Sequence, residues 1–405
     1  MKTVSFGGLV DINPQVRLTK GVEYPFVPMA ALSPGRRYVT APGRRLSGGG
    51  AKFRGGDVLF SRITPCLENG KIAQYKAPSN QVAFGSTEYW VFRAKDGVAD
   101  SSFIFYLSTS DVIRKPAEKS MSGASGRQRA DLSSIYEIQI PDFSLETQRC
   151  IGSILSVYDD LIENNIRRIE IIEEMVIKVY EEWFVSFRFP GHEKVGLVES
   201  ELGPIPADWE VVALEKVVEI NPRTKVVREG EKIFVPMGAL SESNMVISGW
   251  EMKAGNAGAK FRNGDTLVAQ ISPCLENGKT GFVDFLPTDQ YAACGSTEFI
   301  VLRSSALCPE MVYCLARNPR FRDVAMKSMS GATGRQRVRI ESLSSLLVAQ
   351  PSNELIELYR EFAQPCFKEI RVLANKNANL RAQRDLLLPK LISGEIDVSD
   401  IPMPT

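Results

Sequence analysis

Histidine is almost missing from this chain: His192 is the only one among 405 residues. Histidine-based catalytic triads and histidine-ligated metal sites are therefore excluded. The seven cysteines are odd in number and show neither a Cys-x-x-Cys pair nor a cysteine–histidine metal spacing. Reduced thiols and a cytoplasmic location are expected. No run of 18 apolar residues occurs, so no transmembrane helix and no membrane partner are expected. The first residues lack a long apolar core, so no signal peptide is expected. No Gly-x-Ser-x-Gly elbow and no glycine-rich dinucleotide turn are present. Gly278-Lys279-Thr280 resembles the end of a phosphate-binding loop. Pro273 stands where such a loop needs glycine, and Ile72 stands where the other copy needs Ser or Thr.

What the chain does contain, it contains twice. KSMSGASGRQR at 119–129 returns as KSMSGATGRQR at 327–337, and ITPCLENGK at 63–71 returns as ISPCLENGK at 271–279. GAKFRGGD at 50–57 returns as GAKFRNGD at 258–265. INP, FVPM and GSTE recur as well, at 12–14 and 220–222, 26–29 and 234–237, 85–88 and 295–298. The period is too long for a solenoid, so this is a duplicated domain. Two similar domains suit a ligand with two similar halves, of which the DNA duplex is the commonest.

The net charge is only +1, but it is unevenly spread. Residues 1–140 hold 19 Lys and Arg against 11 Asp and Glu, whereas 141–205 hold 6 against 13. The first is a phosphate-compatible domain and the second a segment that phosphate repels. Short apolar runs punctuated by Gly, Pro and Asn read as strands and turns. Residues 101–115 and 309–325 have helical spacing. Each repeat is followed by a long apolar seam near the 3.5-residue period. The first seam holds Ile151, Ile154, Tyr158, Leu161, Ile172, Val176, Val179 and Trp183, with Ser144 as N-cap. The second holds Leu358, Phe362, Ile370, Leu373, Leu380, Leu387 and Leu391, with a kink or break expected at Pro365. Asn165 and Asn377 lie in or beside the seams, either buried to fix register or exposed. The expected architecture is α/β: a tandem duplication of a mixed α/β target-recognition domain, each copy followed by a long helix, the two helices packed as an antiparallel coiled coil. The expected segments are domain 1 (1–143), central helix (144–189), linker (190–206), domain 2 (207–351), distal helix (352–394) and tail (395–405).

Two constellations invite chemistry. Asp57, Glu68 and Lys71, matched by Asp265, Glu276 and Lys279, could hold Mg²⁺ in a nuclease. They could equally be turn residues around Asn69-Gly70 and Asn277-Gly278, an Asn-Gly signal for a tight hairpin. The Gly/Ser loops ending in Arg127, Gln128 and Arg129, or Arg335, Gln336 and Arg337, offer backbone amides to an anion, phosphate clamps and a base-edge reader. A shared structural turn would look the same. Arg62 precedes the first ITPCLENGK block and Gln270 the second. Arg suits guanine and Gln suits adenine, so the two positions either read different bases or serve the framework.

Taken together, PCLENGK, GSTE, the SGASGRQR-like blocks, YEEWFVSFRFPGHE (180–193), LGPIPADWE (202–210) and RDLLLPKLISGEI (384–396) make the whole chain resemble a specificity (S) subunit of a Type I restriction–modification system. The resemblance implies a protein with no catalysis and no cofactor of its own. Each domain would read one half of a bipartite double-stranded DNA site. The candidate DNA contacts are Arg62, Asn69, Lys71, Ser122, Arg127, Gln128 and Arg129 in the first copy, and Gln270, Asn277, Lys279, Ser330, Arg335, Gln336 and Arg337 in the second. The long helices would dock two modification (M) subunits, which bind S-adenosylmethionine and methylate adenine. Val179, Trp183, Phe184, Leu387 and Leu391 are the candidate partner contacts. Restriction (R) subunits, which use ATP and Mg²⁺, would complete a cleaving complex.

The resemblance also makes the helices a ruler. Inserting four residues, about 6 Å of helix, should lengthen the unread spacer by roughly two base pairs. Sequencing the methylated adenines of the insertion mutant checks this; an active mutant with its original spacer refutes it.

Overall fold

The computed structural model describes residues 2–227, 229–332 and 336–398. The chain divides into two compact units, residues 1–164 with 377–405, and residues 165–376. Both units share one architecture, and each takes one half of each long helix.

In the first unit a five-stranded sheet runs in the order Val10–Ile12, Tyr89–Ala94, Val58–Ser61, Ile72–Tyr75, Tyr38–Val39. A four-stranded sheet (Gly43–Leu46, Glu23–Val27, Val82–Gly85, Lys52–Arg54) packs on one face of it. Strand Val58–Ser61 is buried along its whole length. Leu59 enters the inter-sheet core with Val27, Phe53 and Ala83. Val58 and Phe60 face the other way, against Phe103 and Leu107 of helix Ser101–Thr109. A strand covered on both faces reads as an unbroken apolar run, which is how it looks in the sequence.

The second unit repeats this plan. Its first sheet runs Val218–Ile220, Phe299–Ser304, Thr266–Ala269, Thr280–Phe282, and its second Glu251–Ala254, Glu231–Val235, Ala293–Gly295, Ala259–Phe261. Leu267 packs with Phe261 and Ala293 between the sheets, and Val268 packs on the opposite face with Met311. The expected helices at 101–115 and 309–325 are each two helices. The breaks fall at Ser110 and Asn318, whose backbones are extended (ψ 157° and 137°). Asn318 accepts from the Arg320 amide and starts the next helix, with Pro319 at its first position.

The first long helix spans Leu145–Tyr180 and closes in a wider π-type turn, Glu181–Val185. Ser144 caps it, its hydroxyl accepting from the Thr147 amide at 3.1 Å. The second spans Asn353–Ser393 without interruption. The expected break at Pro365 is absent because Pro365 sits on the exposed face, while Tyr359, Ala363, Phe367 and Ile370 bury the opposite one. Within each unit the helix halves run antiparallel: Asn377 meets Ile162 in the first, and Arg168 pairs with Glu369 in the second. The buried seam keeps a seven-residue step, Leu155, Ile162, Ile169 and Val176 on one helix, Ile356, Ala363, Ile370 and Asn377 on the other. Leu161 and Leu358, expected in the seams, are instead exposed at 47% and 43%. Asn377 is buried and Asn165 half-buried. Residues 190–206 are tethered as well as connecting: Phe189 stacks on Trp209, and Ile205 joins the core of the second unit.

Two carboxylates lie buried on the first helix. Asp159 accepts from Tyr106 Oη at 2.7 Å and pairs with Arg384. Glu173 accepts from Tyr313 Oη and from the Met245 amide. Replacing Asp159 with Ala leaves the Arg384 guanidinium buried without its main counter-charge, at a cost of about 3–5 kcal/mol, measurable by urea unfolding. Burial raises the Glu173 carboxyl above its ordinary 4.5. The folded state therefore binds the proton more tightly than the unfolded one. This contribution to stability is full below pH 4.5 and is lost as pH rises through the raised folded value. Glu173→Gln should flatten that part of the stability–pH curve; an unchanged slope would contradict the assignment.

Candidate nucleic-acid interface

The repeated sequence blocks meet in space. In the first unit strands Val58–Ser61 and Ile72–Tyr75 pair, and residues 62–71 connect them. The connection is a coil of helical turns rather than the tight Asn-Gly hairpin expected. The Asn69 amide donates to Pro65 O, Gly70 to Leu67 O and Lys71 to Cys66 O. Gly70, with φ at 69°, ends that coil where a side chain would strain it.

The Gly/Ser loop folds onto this connection. Ser122 and Arg129 exchange both backbone hydrogen bonds, at 3.0 and 2.9 Å, and close residues 123–128 into a loop. The Thr64 amide donates to Gln128 O, and the Ala130 amide to Arg62 O. Glu88 of the GSTE block then locks the assembly. Its carboxylate takes a bidentate pair from Arg129 at 2.9 and 2.6 Å and a third bond from Arg62 Nε at 3.3 Å. The hydrogen bonds from Arg129, helped by the charge of Arg62, hold the Glu88 carboxyl below its ordinary pKa. Lys71 Nζ reaches Met29 O of the FVPM block at 3.2 Å.

The second unit reproduces these bonds. Arg337 pairs with Glu298 at 2.8 and 2.6 Å, and Ser330 exchanges backbone bonds with Arg337. The Ser272 amide donates to Gln336 O, and Lys279 Nζ to Met237 O. Gln270 replaces Arg62 and donates to Thr297 O at 3.0 Å and to Glu298 at 3.4 Å. Asn277 reaches Glu242 at 3.1 Å.

The structure thus brings Arg62, Ser122, Gln128 and Arg129 together, and Gln270, Ser330, Gln336 and Arg337 likewise. Arg335 lies outside the described residues. Lys71 and Lys279 brace the connection from its other side. Arg129 and Arg337 spend their guanidinium donors on a carboxylate, while Arg127 is exposed with no ion-pair partner among the described residues. Sequence reasoning singled out the GSTE blocks without assigning their glutamates. Their sole signal was an acid conserved between copies in an otherwise basic neighbourhood.

The Asp/Glu/Lys sets do not converge as a metal site. Asp57 forms a bidentate pair with Arg93 at 2.8 and 2.6 Å and accepts from the Arg54 amide; Asp265 does the same with Arg303 and the Arg262 amide. Glu68 and Glu276 accept from the hydroxyls of Thr64 and Ser272. Each carboxylate has its own structural partner, and among the described residues no cluster of three potential ligands forms. Of the expected partner contacts, Phe184 and Leu391 are buried in the cores of their own units, where each unit's own apolar residues already cover them. Val179, Trp183 and Leu387 are half-buried, and Leu386 is 70% exposed.

A family model described as Type I restriction modification DNA specificity domain matches residues 16–174. The chain is similar to the MjaIX specificity subunit of Methanocaldococcus jannaschii, a Type I restriction enzyme component. The two are 28% identical over 321 residues, which cover 76% of this chain and 71% of the relative. It is also similar to the HindI specificity subunit of Haemophilus influenzae, 24% identical over 407 residues and covering 84% and 86% of the two chains. Its fold matches the crystal structure of a Type I restriction–modification S subunit from M. genitalium, with a TM-score of 0.50 at 16% identity over 96% of each chain. The matched domain and the relatives that span most of its length make this chain similar to the DNA specificity subunits of Type I restriction enzymes.

Proposed function

We propose that this chain reads the two halves of a bipartite DNA site, one with each repeated domain, and positions two adenine-methylating M subunits on it. R subunits join the same complex for cleavage. S-adenosylmethionine belongs to the M subunits, and ATP and Mg²⁺ to the R subunits; this chain supplies recognition and no chemistry. Among the described residues no helix is long and apolar enough to cross a membrane, and the proposed site of action is the cytoplasm, with the DNA. The observation that supports this reading is the loop assembly itself, built bond for bond in both units of a chain carrying the specificity domain. A duplicated frame, with the exposed Arg127 beside its first copy, suits a ligand that repeats along its length.

Modified-adenine sequencing of a host carrying the chain and its M subunits tests the proposal. A two-part motif that disappears on deletion of this chain is expected; a motif indifferent to the deletion refutes it. A second measurement probes the Glu88 lock. Glu88→Gln removes the negative charge that holds Arg129 and Arg62. The complex should then bind DNA with a salt dependence steeper by about one counterion. Fluorescence anisotropy titrations across ionic strength check this, and an unchanged slope would place both arginines away from phosphate.

A further inference from the structure

Each unit carries an open pocket beside its loop assembly, of about 630 Å³ in the first and about 690 Å³ in the second. The two pockets are lined by equivalent residues throughout. Part of the lining is common to both copies and fixed by geometry. Asn13 and Asn221 adopt a left-handed backbone, φ 50° and 52°, and accept through Oδ1 from the Val91 and Val301 amides. A Cβ at Gly50 or Gly258 would lie 2.0 or 1.7 Å from Gly85 O or Gly295 O, so neither position admits a side chain. These residues hold the pocket open in the same shape.

The rest of the lining differs in an ordered way. The residue two beyond the asparagine is Gln15 in the first copy and Arg223 in the second, both exposed. The residue before the block that runs from Ile63 to Lys71, or from Ile271 to Lys279, is Arg62 in the first copy and Gln270 in the second. The same two side-chain types therefore line both pockets, with their positions exchanged. The charge is conserved through the exchange. Arg17, Lys52 and Arg62 line one pocket, Arg223, Lys225 and Lys260 the other, and among the described residues no acidic side chain lines either. A merely solvated surface has no reason to keep three cations and no acids while trading arginine for glutamine at two places at once.

We propose that these pockets are the base-reading sites of the two domains, and that Gln15 with Arg62, and Arg223 with Gln270, select different base pairs by presenting the same two readers in opposite order. This inference rests on the DNA-specificity reading above. Arginine pairs in bidentate fashion with guanine O6 and N7, glutamine with adenine N6 and N7. The lysines and Arg17 supply phosphate attraction common to both sites.

The test is the double variant Gln15→Arg, Arg62→Gln, which gives the first pocket the readers of the second, assembled with its M subunits. Modified-adenine sequencing should show a changed first half-site and an unchanged second one. The reciprocal variant Arg223→Gln, Gln270→Arg should change only the second. In competition binding, preference for the original half-site over the new one should fall roughly 10- to 100-fold. An active double variant with both half-sites unchanged overturns the proposal. So does a folded variant that loses binding to all DNA equally, because that assigns the four residues to phosphate affinity. Should a variant bind DNA but no longer methylate, a lost preference for the original half-site supports the proposal and a retained one overturns it. The unmodified complex is the control: if it directs no motif at all, it is the DNA-specificity reading that fails.

Discussion

Two buried carboxylates constrain the rest of the architecture. Asp159 and Glu173 sit on the apolar side of the first long helix, where an unpaired charge costs several kcal/mol. Each is satisfied only in one register. Asp159 needs Arg384 of the second helix and the hydroxyl of Tyr106; Glu173 needs Tyr313 and the Met245 amide. Sliding a helix by seven residues, about two turns, would leave the apolar seam nearly as well packed but would strand these groups. The apolar positions supply cohesion, and the polar ones choose the alignment. Because Tyr106 and Tyr313 belong to the domain helices, the same bonds fix how each domain sits on its portion of the long helices.

A second layer of constraint explains the identity of the repeated blocks. Several blocks meet one another, Arg129 with Glu88 and Lys71 with the carbonyl of Met29, and Asp57 pairs with Arg93, which recurs as Arg303. In the two ion pairs a change in one partner strands the other, so both copies keep both. Arg62 and Gln270 touch the frame too, through Glu88 and Glu298, but their contacts are longer and tolerate different chemistry. Variation is thus admitted beside the frame and excluded within it.

Much of this was legible in the sequence. The duplication, the buried strands and the long helices follow from repeated blocks, unbroken apolar runs and absent glycine. The register of the seams was less so. Leu161 and Leu358 are as apolar as their neighbours, and only the buried partners Asp159 and Asn377 reveal which residues of each turn face inward. Charged residues on a seam read as solvent-facing until a partner distant in sequence is known. Pro365 misled for a related reason: its lost hydrogen bond lies on the wet side, where water compensates, so burial on the opposite face carries the helix through. The Asn-Gly signal points to a hairpin because nothing local shows that residues 62–68 coil before it. The pocket residues Gln15 and Arg223 lie in the least repeated stretch of the domain. Their significance appears only when the fold lines one pocket with Gln15 and Arg62 and the other with Arg223 and Gln270.

The glycines that crowd the carbonyls of Gly85 and Gly295 have a consequence for the gene as well as for the protein. They belong to the Gly-Ala-Lys-Phe blocks, which lie between the two reader positions in each copy: Gln15 before and Arg62 after, Arg223 before and Gln270 after. Genetic exchange between the copies within such a block would keep every brace intact and join the front reader of one domain to the rear reader of the other. Four combinations of readers are then reachable from two by recombination, without any of the bracing contacts being rebuilt. The close approach that forbids a side chain at Gly50 and Gly258 also keeps the crossover point the same in both copies.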